Sequence, residues 1–350
     1  MFNYIINKFL YAALVLFGVV TVIFFLFNIM PADPAKMMLG DRDNAQQLEM
    51  INEKYHFNKP IYQQYLLYLN DLSPLSFHSE TPIYDSFFLL FSKKGFCCVI
   101  KAPYLRTSFY QKNTSVSSMI SSSFPNTIVL AISAIVIALL LAVPLGVIAA
   151  YNKDTWIDRL ISSVSVLGMS LPSFLAAVLM SYIFAYKLGG LTNLNMTGSL
   201  FVIDDFGSGE RLQLKNLILP AITLGIRPLA VVVHLTRTAL IDELSLDYIL
   251  LARSKGLSVS YVIVFHALRN SMTSVVTAAS GWFAGMLSGA VFVEYIFGWN
   301  GLGKLLVDAL ISVDFPLVMG IILVIATCFI IINILVDLIY IWLDPRVRVN

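Results

Sequence analysis

The stretch FGWNGLGKLL, residues 297–306, has the spacing of a phosphate-binding loop. Gly298 is followed by four residues and then by Gly303 and Lys304, which is all of the motif G-x-x-x-x-G-K-[ST] except its last position. In that motif glycine N–H groups surround the phosphates, the lysine reaches the outer phosphates, and a Ser or Thr hydroxyl ligates Mg²⁺. Leu305 stands at the last position and cannot ligate a metal. Whether the stretch meets ATP at all depends on where it lies along the chain.

The composition is that of a membrane protein. Of the 350 residues, 58% are hydrophobic and 13% are charged, against about 45–50% and about 25% in soluble domains. The net charge of +2 comes without the clustered Lys and Arg of a nucleic-acid-binding face, so no nucleic-acid partner is expected. Cys97, Cys98 and Cys328 have no metal-ligand spacing, and neither a metal nor a cofactor is expected. For the vicinal pair, two ordinary thiols and a disulfide in an oxidising compartment both stay open.

Six apolar runs are long enough to cross a membrane, which takes about 20 residues for a hydrocarbon core of about 30 Å. The runs are 9–30, 126–150, 160–186, 216–236, 272–296 and 315–342. The first exceeds the apolar region of about 7–15 residues in a cleaved signal, so a retained helix is predicted. Kinks are predicted at the internal prolines, which are Pro144, Pro172, Pro220 and Pro228. The predicted fold class is an all-α polytopic membrane protein with six transmembrane helices.

The distribution of Lys and Arg predicts the orientation, because positive residues concentrate in short cytoplasmic loops. One set of segments holds Lys8, Lys153, Arg159, Arg237, Arg253, Lys255, Arg269, Arg346 and Arg348. The short loops of the opposite set hold only Lys187, Arg211, Lys215 and Lys304. Both termini are therefore predicted to be cytoplasmic, and residues 297–306 lie on the side away from cytoplasmic ATP.

The position of FGWNGLGKLL argues against nucleotide binding. The stretch follows a predicted membrane helix, whereas a phosphate-binding loop follows a buried strand. We interpret it as a glycine-rich turn that returns the chain to the membrane. No enzyme motif appears elsewhere, since the four histidines are widely separated and both H-E-x-x-H and G-x-S-x-G are absent. No catalytic residue is expected in this chain.

The most informative cytoplasmic segment is LSLDYILLARSKGLSVSYVIVFHALRNSM, residues 244–272. Gly256 can adopt positive φ, and Ser258 can cap a second short helix that begins near Val259. A first helix is predicted before the glycine, because helical spacing relates Leu246, Ile249, Leu250 and Arg253. The prediction is helix, glycine corner, helix at the membrane surface. Such an apolar pair of helices either packs on the chain's own helix ends or docks on a soluble partner.

The run DYILLARSKGLS, followed by HALRNS, resembles the cytoplasmic EAA loop of ABC-transporter permeases, in the form typical of the dipeptide and oligopeptide importer family. The resemblance extends over nearly the whole chain, through MPADPA, VPLGVIAAY, LPSF, LILPAITLG, LTRTAL, GAVFVEYIF and LVDLIYIWLDPRVR. It implies a type I permease fold in which this loop forms a coupling helix seated in a groove of a cytoplasmic ATPase subunit. Asn300, where the family often has proline, and an apparent insertion at 72–112 depart from the pattern.

The resemblance also implies which residues of the loop act in coupling. Ala252 and Gly256 match the alanine and glycine of the family motif, and Leu268 matches its later leucine. His266 and Arg269 occupy positions where the broader motif has Ile and Pro. The full set expected in the ATPase-coupling loop is Asp247, Tyr248, Ala252, Arg253, Lys255, Gly256, Leu257, His266, Leu268 and Arg269.

The function implied by the resemblance is that of a permease subunit of an ATP-driven importer for dipeptides or oligopeptides in a bacterial plasma membrane. The implied partners are a second related permease, two cytoplasmic ATP-binding subunits and an extracytoplasmic solute-binding protein. The same machinery for another solute, such as a metal complex, is an alternative, as is a membrane scaffold. A secondary transporter is a further alternative, but neither inverted repeats nor paired intramembrane acids are found. The predicted divisions are helix 1–30, extracytoplasmic segment 31–125, and permease core 126–350 with coupling loop 244–270.

Two features inside the predicted spans suggest further roles. Gly281, Gly285 and Gly289 recur every four residues, which favours close helix packing over a flexible gate. Arg227 is a charge inside a span and costs about 2.5–3.5 kcal/mol on insertion scales unless it faces a partner or water. It lies beside Pro228, where a kink can direct it into a hydrated translocation path and toward a peptide carboxylate. Pairing with a neighbouring acid and snorkelling of the side chain are the alternatives.

Overall fold

The computed structural model describes residues 2–29, 49, 52, 57–78, 87–93, 96–111, 114–203 and 209–343. Helices dominate these residues, and they are α1 (Phe2–Ile29), α2 (Ile61–Leu72), α3 (Val116–Tyr151), α4 (Trp156–Ser170), α5 (Ser173–Met180), α6 (Gly189–Thr192), α7 (Lys215–Leu244), α8 (Asp247–Ser254), α9 (Val259–Tyr261), α10 (Leu268–Gly289), α11 (Val291–Phe297), α12 (Leu302–Ile311) and α13 (Phe315–Leu343). Segments of π-helix follow α5 at Ser181–Lys187 and α9 at Val262–Ala267. The strands are β1 (Leu75–His78), β2 (Phe87–Lys93), β3 (Phe96–Lys101), β4 (Phe201–Ile203) and β5 (Glu210–Leu212).

The membrane-spanning helices agree with the prediction. Four helical stretches are each long and apolar enough to cross a membrane: Ile6–Phe27, Val116–Tyr151, Lys215–Leu244 and Phe315–Leu338. Two bent pairs qualify as one span each: Trp156–Ser170 with Ser173–Lys187, and Val259–Leu287 with Val291–Phe297. With each pair counted once, the described residues contain the six predicted spans, and the predicted all-α polytopic fold class is confirmed.

One of the four predicted proline kinks is a break between two helices, and the other three prolines lie inside continuous helices. Pro172 precedes α5, and the helices on either side of it meet at 108°. The residue before a proline is held out of the helical region, and Leu171 is accordingly extended at ψ 126°. By contrast, Pro144 lies inside α3, and both Pro220 and Pro228 lie inside α7, without ending either helix. Membrane helices tolerate such prolines where neighbours satisfy the freed carbonyl groups.

The chain forms two compact units. The second comprises Leu10–Ser122 and Leu306–Val324 and contains an antiparallel sheet in the strand order β1-β3-β2. Helix α2 packs against α1 in this unit, where the hydroxyl groups of Thr21 and Tyr65 lie 2.6 Å apart. The apparent insertion at 72–112 thus contains a small sheet that the sequence did not predict. Cys97 and Cys98 are neighbours on β3, and Cys97 is the more buried of the two.

The first unit comprises Met1–Phe9, Ser123–Leu305 and Ile325–Asn350, and α7 lies at its centre. Helix α7 packs against α4, α5, α10 and α11. Gly225 allows a close approach to α3, because a Cβ there would lie 2.9 Å from the carbonyl oxygen of Ala134. The core around this contact includes Leu130, Ala131, Ala134, Leu219, Ala221, Phe297 and Trp299. Tight packing of small residues replaces the hydrophobic effect as the source of helix association in lipid.

A buried ion pair joins α4 to α7. Arg237 donates from Nε to Oδ1 of Asp158 at 2.5 Å and from Nη2 to Oδ2 at 2.6 Å. The carboxylate of Asp158 is buried and also accepts the backbone N–H of Asp154 at 3.0 Å. Two-pronged charge-assisted bonds of this kind fix geometry as well as contributing energy. The pair therefore sets the position of α4 relative to the C-terminal half of α7, close to where α7 leads into residues 245–270.

Candidate functional site

The segment after α7 has the predicted helix, glycine corner and helix. Helix α8 ends at Ser254, Gly256 has φ +82°, and α9 begins at Val259 and continues as a π-helix into α10. This φ lies in the left-handed region that glycine adopts without steric cost. The predicted cap is wrong in its detail, because Ser258 precedes α9 but makes no side-chain capping hydrogen bond. Backbone bonds from Val262 N–H to the Ser258 carbonyl, at 3.0 Å, satisfy this end of the helix instead.

Two residues of α8 anchor the segment to the rest of the first unit. Ile249 is 1% exposed and Ala252 is also buried, and their spacing of three places both on one face of α8. They belong to a small core that also contains Ala150 of α3, Leu240 of α7, and Val262, Ile263 and Ala267. Part of the segment therefore packs on the chain's own helices, which is the first of the two alternatives that the sequence left open.

Most of the apolar residues in the segment do not take part in that core. Leu250 is 70% exposed, Leu251 is 57% exposed and Phe265 is 60% exposed. The ring of Phe265 stacks on Tyr261 at a centroid distance of 4.7 Å. We call the exposed set the apolar loop surface, and it comprises Leu246, Leu250, Leu251, Leu257, Val259, Tyr261, Val264 and Phe265. Val259 begins the second bent pair that qualifies as a span, so Leu246, Leu250, Leu251 and Leu257 are the members that precede it. Exposed apolar side chains outside the lipid mark an interaction site.

A polar cluster ties the start of α8 to both neighbouring long helices. The hydroxyl of Tyr248 donates to Oε1 of Glu243 on α7. Asn270 of α10 donates from Nδ2 to the same Glu243 oxygen and to the Tyr248 hydroxyl, each at 3.0 Å. Burial, together with the hydrogen bond to the Glu243 carboxylate, raises the pKa of Tyr248, so the phenol keeps the proton that it donates. The cluster therefore joins α7, α8 and α10 at this point.

The structure places the ten predicted coupling residues in two groups. Ala252 and Leu268 pack in the small core, and His266 is partly buried with its ring 5.7 Å from that of Tyr261. The exposed group comprises Asp247, Tyr248, Arg253, Lys255, Gly256, Leu257 and Arg269. The three cations of this group, Arg253, Lys255 and Arg269, are close in sequence to residues of the apolar loop surface. Sequence reasoning missed the Glu243–Asn270 pair, which carries no motif and is visible only once the helices are placed.

The turn at residues 297–306 does bind an anion, but the anion is the chain's own. The carboxylate of Glu294 is fully buried. Its Oε2 accepts the backbone N–H groups of Gly303 at 2.6 Å and of Lys304 at 3.3 Å. Its Oε1 accepts the hydroxyl of Thr127 at 2.8 Å, and the same hydroxyl accepts the N–H of Leu302 at 2.8 Å. The N-terminus of α12 thus holds a carboxylate where a phosphate-binding loop holds phosphate.

This carboxylate leaves no space for a phosphate. A Cβ on Gly301 would lie 2.4 Å from Oε2 of Glu294, so even one methyl group does not fit there. Gly298 ends α11 with φ +66°, and Trp299 Nε1 donates to the Asn126 carbonyl at 3.0 Å. These contacts agree with the interpretation of the stretch as a returning turn. The sequence analysis did not single out Glu294, although a lone acid in an apolar run is the signal that points to such a residue.

The remaining predicted residues lie on open surface. A Cβ built on Gly281 or Gly285 would meet nothing within 4 Å, so no close helix packing within the described chain is seen there. The surroundings of Gly289 lie outside what the structure describes. Arg227 is exposed on α7, and no ion pair or hydrogen bond of its side chain is seen among the described residues. The helix-packing and translocation-path roles therefore stay predictions.

We predict that Gly301→Ala destabilises the protein by displacing Glu294 from its amide donors. Overpacking of this kind costs about 1–3 kcal/mol, and the added loss of hydrogen bonds to a buried carboxylate increases that cost. Thermal unfolding in detergent measures the effect. Gly190→Ala is the matched control, because a Cβ there meets nothing within 4 Å. Equal melting temperatures for the two variants would contradict the role assigned to the Glu294 carboxylate.

Known proteins align with the chain along almost its whole length. It is 30% identical to the dipeptide transport system permease protein of Alkalihalophilus pseudofirmus, over 99% of this chain and 100% of that one. It is 31% identical to the glutathione transport system permease protein of Escherichia coli K12, over 99% of each chain. It is also 31% identical to the probable D,D-dipeptide transport system permease protein of Escherichia coli K12, over 95% of this chain and 94% of that one.

The chain also matches a solved structure and two family models. The inward-facing methionine ABC transporter MetNI superposes with a TM-score of 0.53 at 13% identity, over 65% of this chain and 97% of that chain, which shows a shared fold. The N-terminal model of binding-protein-dependent transport system membrane components matches residues 1–131. The model of their inner membrane component matches residues 142–349. The chain therefore belongs to the family of binding-protein-dependent transport system inner membrane components, which are multi-pass permease subunits of ABC importers and leave ATP hydrolysis to partner subunits.

Proposed function

We propose that the chain pairs with a second related permease to form a translocation path for peptides, and that residues 244–270 couple this path to two cytoplasmic ATP-binding subunits. The apolar loop surface carries the proposal, because it is anchored at Ile249 and Ala252 yet leaves Leu250 and Leu251 uncovered before the span that begins at Val259. The peptide substrate is supported by the relatives, which are named for dipeptides and for glutathione, itself a peptide. An extracytoplasmic solute-binding protein would deliver the peptide.

The predicted coupling residues fit this role in two ways. The buried group, Ala252 and Leu268, fixes the loop to the ends of α3 and α7, so a force on α8 reaches the membrane helices. The exposed cations Arg253, Lys255 and Arg269 border the apolar loop surface and suit an acidic rim on the partner. An apolar centre with a charged border is the usual anatomy of an interface.

We predict that Gly256→Val weakens coupling without preventing membrane insertion. A branched residue forced to φ +82° costs about 1–2 kcal/mol, which turns α8 against α9 without unfolding the spans. Arg253→Glu should have the same effect by placing negative charge against an acidic rim. Recovery of the ATP-binding subunit with the tagged permease, and peptide-stimulated ATP hydrolysis, should both fall in the two variants.

Matched controls separate coupling from general damage. Gly190→Val introduces the same side chain where φ is not positive and no atom lies within 4 Å of the Cβ. Lys153→Glu reverses an exposed charge on the same predicted side of the membrane but outside the loop. Normal ATPase recovery and uptake in Gly256→Val and Arg253→Glu would count against the loop as the coupling element.

The proposed orientation places both termini and residues 244–270 in the cytoplasm, in line with the excess of Lys and Arg on that side. In a chain whose Cys97, Cys98 and Cys328 are replaced by serine, a cysteine at Thr155 or Ser258 should resist a membrane-impermeant thiol reagent in intact cells. A cysteine at Ser199 or Ser312 should react with it, and all four positions should react in opened membranes. The reverse pattern of labelling would place the apolar loop surface outside the cell and would contradict the coupling proposal.

The second permease provides a partner for the glycine ridge of α10. Gly281 and Gly285 leave space that another helix backbone can fill. In this proposal the core 126–350 pairs with the second permease, together with the segments 1–30 and 31–125 that precede it. Gly285→Leu should overpack this contact by about 1–3 kcal/mol and lower the yield of the assembled complex on size-exclusion chromatography. If the variant assembles and transports like the parent, that face of α10 contacts lipid instead.

A further inference from the structure

One face of α7 changes character halfway along the helix. Arg227, Val231, His234 and Thr238 share this face, because residues three and four apart lie above one another on a helix. Arg227 and Thr238 are exposed, while Val231 and His234 are partly exposed. The outer continuation of the same face, Asn216, Pro220 and Thr223, is buried. We call the four residues from Arg227 to Thr238 the α7 strip.

The other faces of the inner half of α7 are covered by the first unit. Val232, Val233, Thr236 and Leu240 are fully buried. Their neighbours lie on α3, α4 and α10, the helices that surround α7 in this unit. The α7 strip is therefore the one side on which this half of the helix is open in the described chain.

The chemistry of the strip differs from that of the lipid-facing positions of other spans. Exposed residues on α1 include Leu14 and Phe17, and those on α3 include Val136 and Leu140. The strip instead carries Arg227 and His234 in the same kind of position. Polar and charged side chains in spans face a bundle interior or a water-filled cavity, so the strip borders a hydrated space.

Arg227 lies near the middle of its span. Lys215 and Arg237 bound the apolar part of α7, so Arg227 is 12 residues from one and 10 from the other. At a rise of about 1.5 Å per residue, the backbone of Arg227 lies about 15 Å along the helix axis from Arg237 and about 18 Å from Lys215. Snorkelling to the membrane surface, one of the alternatives at Arg227, does not suit a residue at this depth.

Pairing with an acid of the same chain, the other alternative, is not found among the described residues. The acids inside the other spans are already engaged: Asp158 by Arg237, Asp337 by Lys8, and Glu294 by the α12 amides. Asp242 is exposed at the inner end of α7, 15 residues from Arg227 and so about 22 Å along the axis. In addition, Nε2 of His234 on the strip is buried without a hydrogen-bond partner in the described part.

We propose that the α7 strip is a binding site for the carboxylate end of the transported peptide, with Arg227 as the group that contacts it. The site rests on the proposed function, because it needs a peptide to pass the middle of the membrane. Guanidinium and carboxylate form two parallel charge-assisted hydrogen bonds, which suit a peptide C-terminus. The hydroxyl of Thr238, about 16 Å further along the axis, continues a polar route toward the cytoplasmic end.

The test compares two probes that differ only in this charge, tri-alanine and tri-alanine amide. Uptake of each is measured in proteoliposomes that contain the full complex with its solute-binding protein. The ratio of the two uptake rates in a variant is divided by the ratio in the parent, so a preference of the binding protein cancels. Arg227→Gln should lower the rate for tri-alanine about tenfold or more relative to the amide, whereas Arg227→Lys should keep most of the preference.

Charge rescue provides a second measurement. Arg227→Cys is made in a chain whose Cys97, Cys98 and Cys328 are replaced by serine, with that cysteine-free chain as the parent. Aminoethyl methanethiosulfonate, which adds a cation at the cysteine, should restore tri-alanine uptake. The sulfonatoethyl and methyl reagents, which add an anion or a neutral group, should not. Val136→Cys, at an exposed apolar position of α3, is the matched control and should respond to none of them.

The outcomes distinguish this site from the proposed function itself. Equal loss of both probes in Arg227→Gln, no loss of either, or equal rescue by the cationic and neutral reagents would overturn the carboxylate site while peptide transport stands. If the parent complex accumulates neither probe above protein-free vesicles, the peptide function fails, and the site falls with it. Selective loss of tri-alanine uptake with rescue by the cationic reagent alone is the result expected.

Discussion

Burial of charge away from water is the constraint on which the rest of this structure depends. Taking a charge out of water is costly unless it is paired or hydrogen-bonded, so each buried charge needs a partner. Asp158 has Arg237, and Glu294 has Thr127 with the amides of Gly303 and Lys304. Each arrangement joins helices that are far apart in the sequence. The pairs that neutralise charge are therefore also the ties that fix the helices of the first unit.

Helix α7 connects the parts of the protein that the function requires. It carries the α7 strip along its C-terminal half, it is held to α4 through Arg237, and it ends directly before the proposed coupling loop. Through Glu243 it shares hydrogen bonds with Tyr248 of α8 and Asn270 of α10. In the coupling proposal, motion imposed on the loop reaches α7 through these contacts within one unit. In this arrangement α7 itself links the proposed path to the proposed coupling loop.

The sequence was most predictive where one local signal decides the outcome. Apolar runs located the six spans, and Gly256 together with the helical spacing around Ile249 predicted the corner between α8 and α9. It was less predictive where the outcome depends on distant residues. Pro172 predicted a kink at this place but not its angle of 108°. The partners of Glu294 come from α3 and α12, and the sheet at 75–101 needed long-range pairing that no local pattern showed.

The central claim is that this permease works only together with an ATPase that its cytoplasmic loop engages. The most direct measurement is to isolate the tagged wild-type chain from its native membrane in mild detergent and to assay ATP hydrolysis in the eluate. The account predicts that an ATP-binding subunit copurifies in stable proportion and that its turnover rises when the solute-binding protein and tri-alanine are added together. Recovery of the permease without ATPase, or an ATPase whose turnover ignores the loaded binding protein, would contradict it.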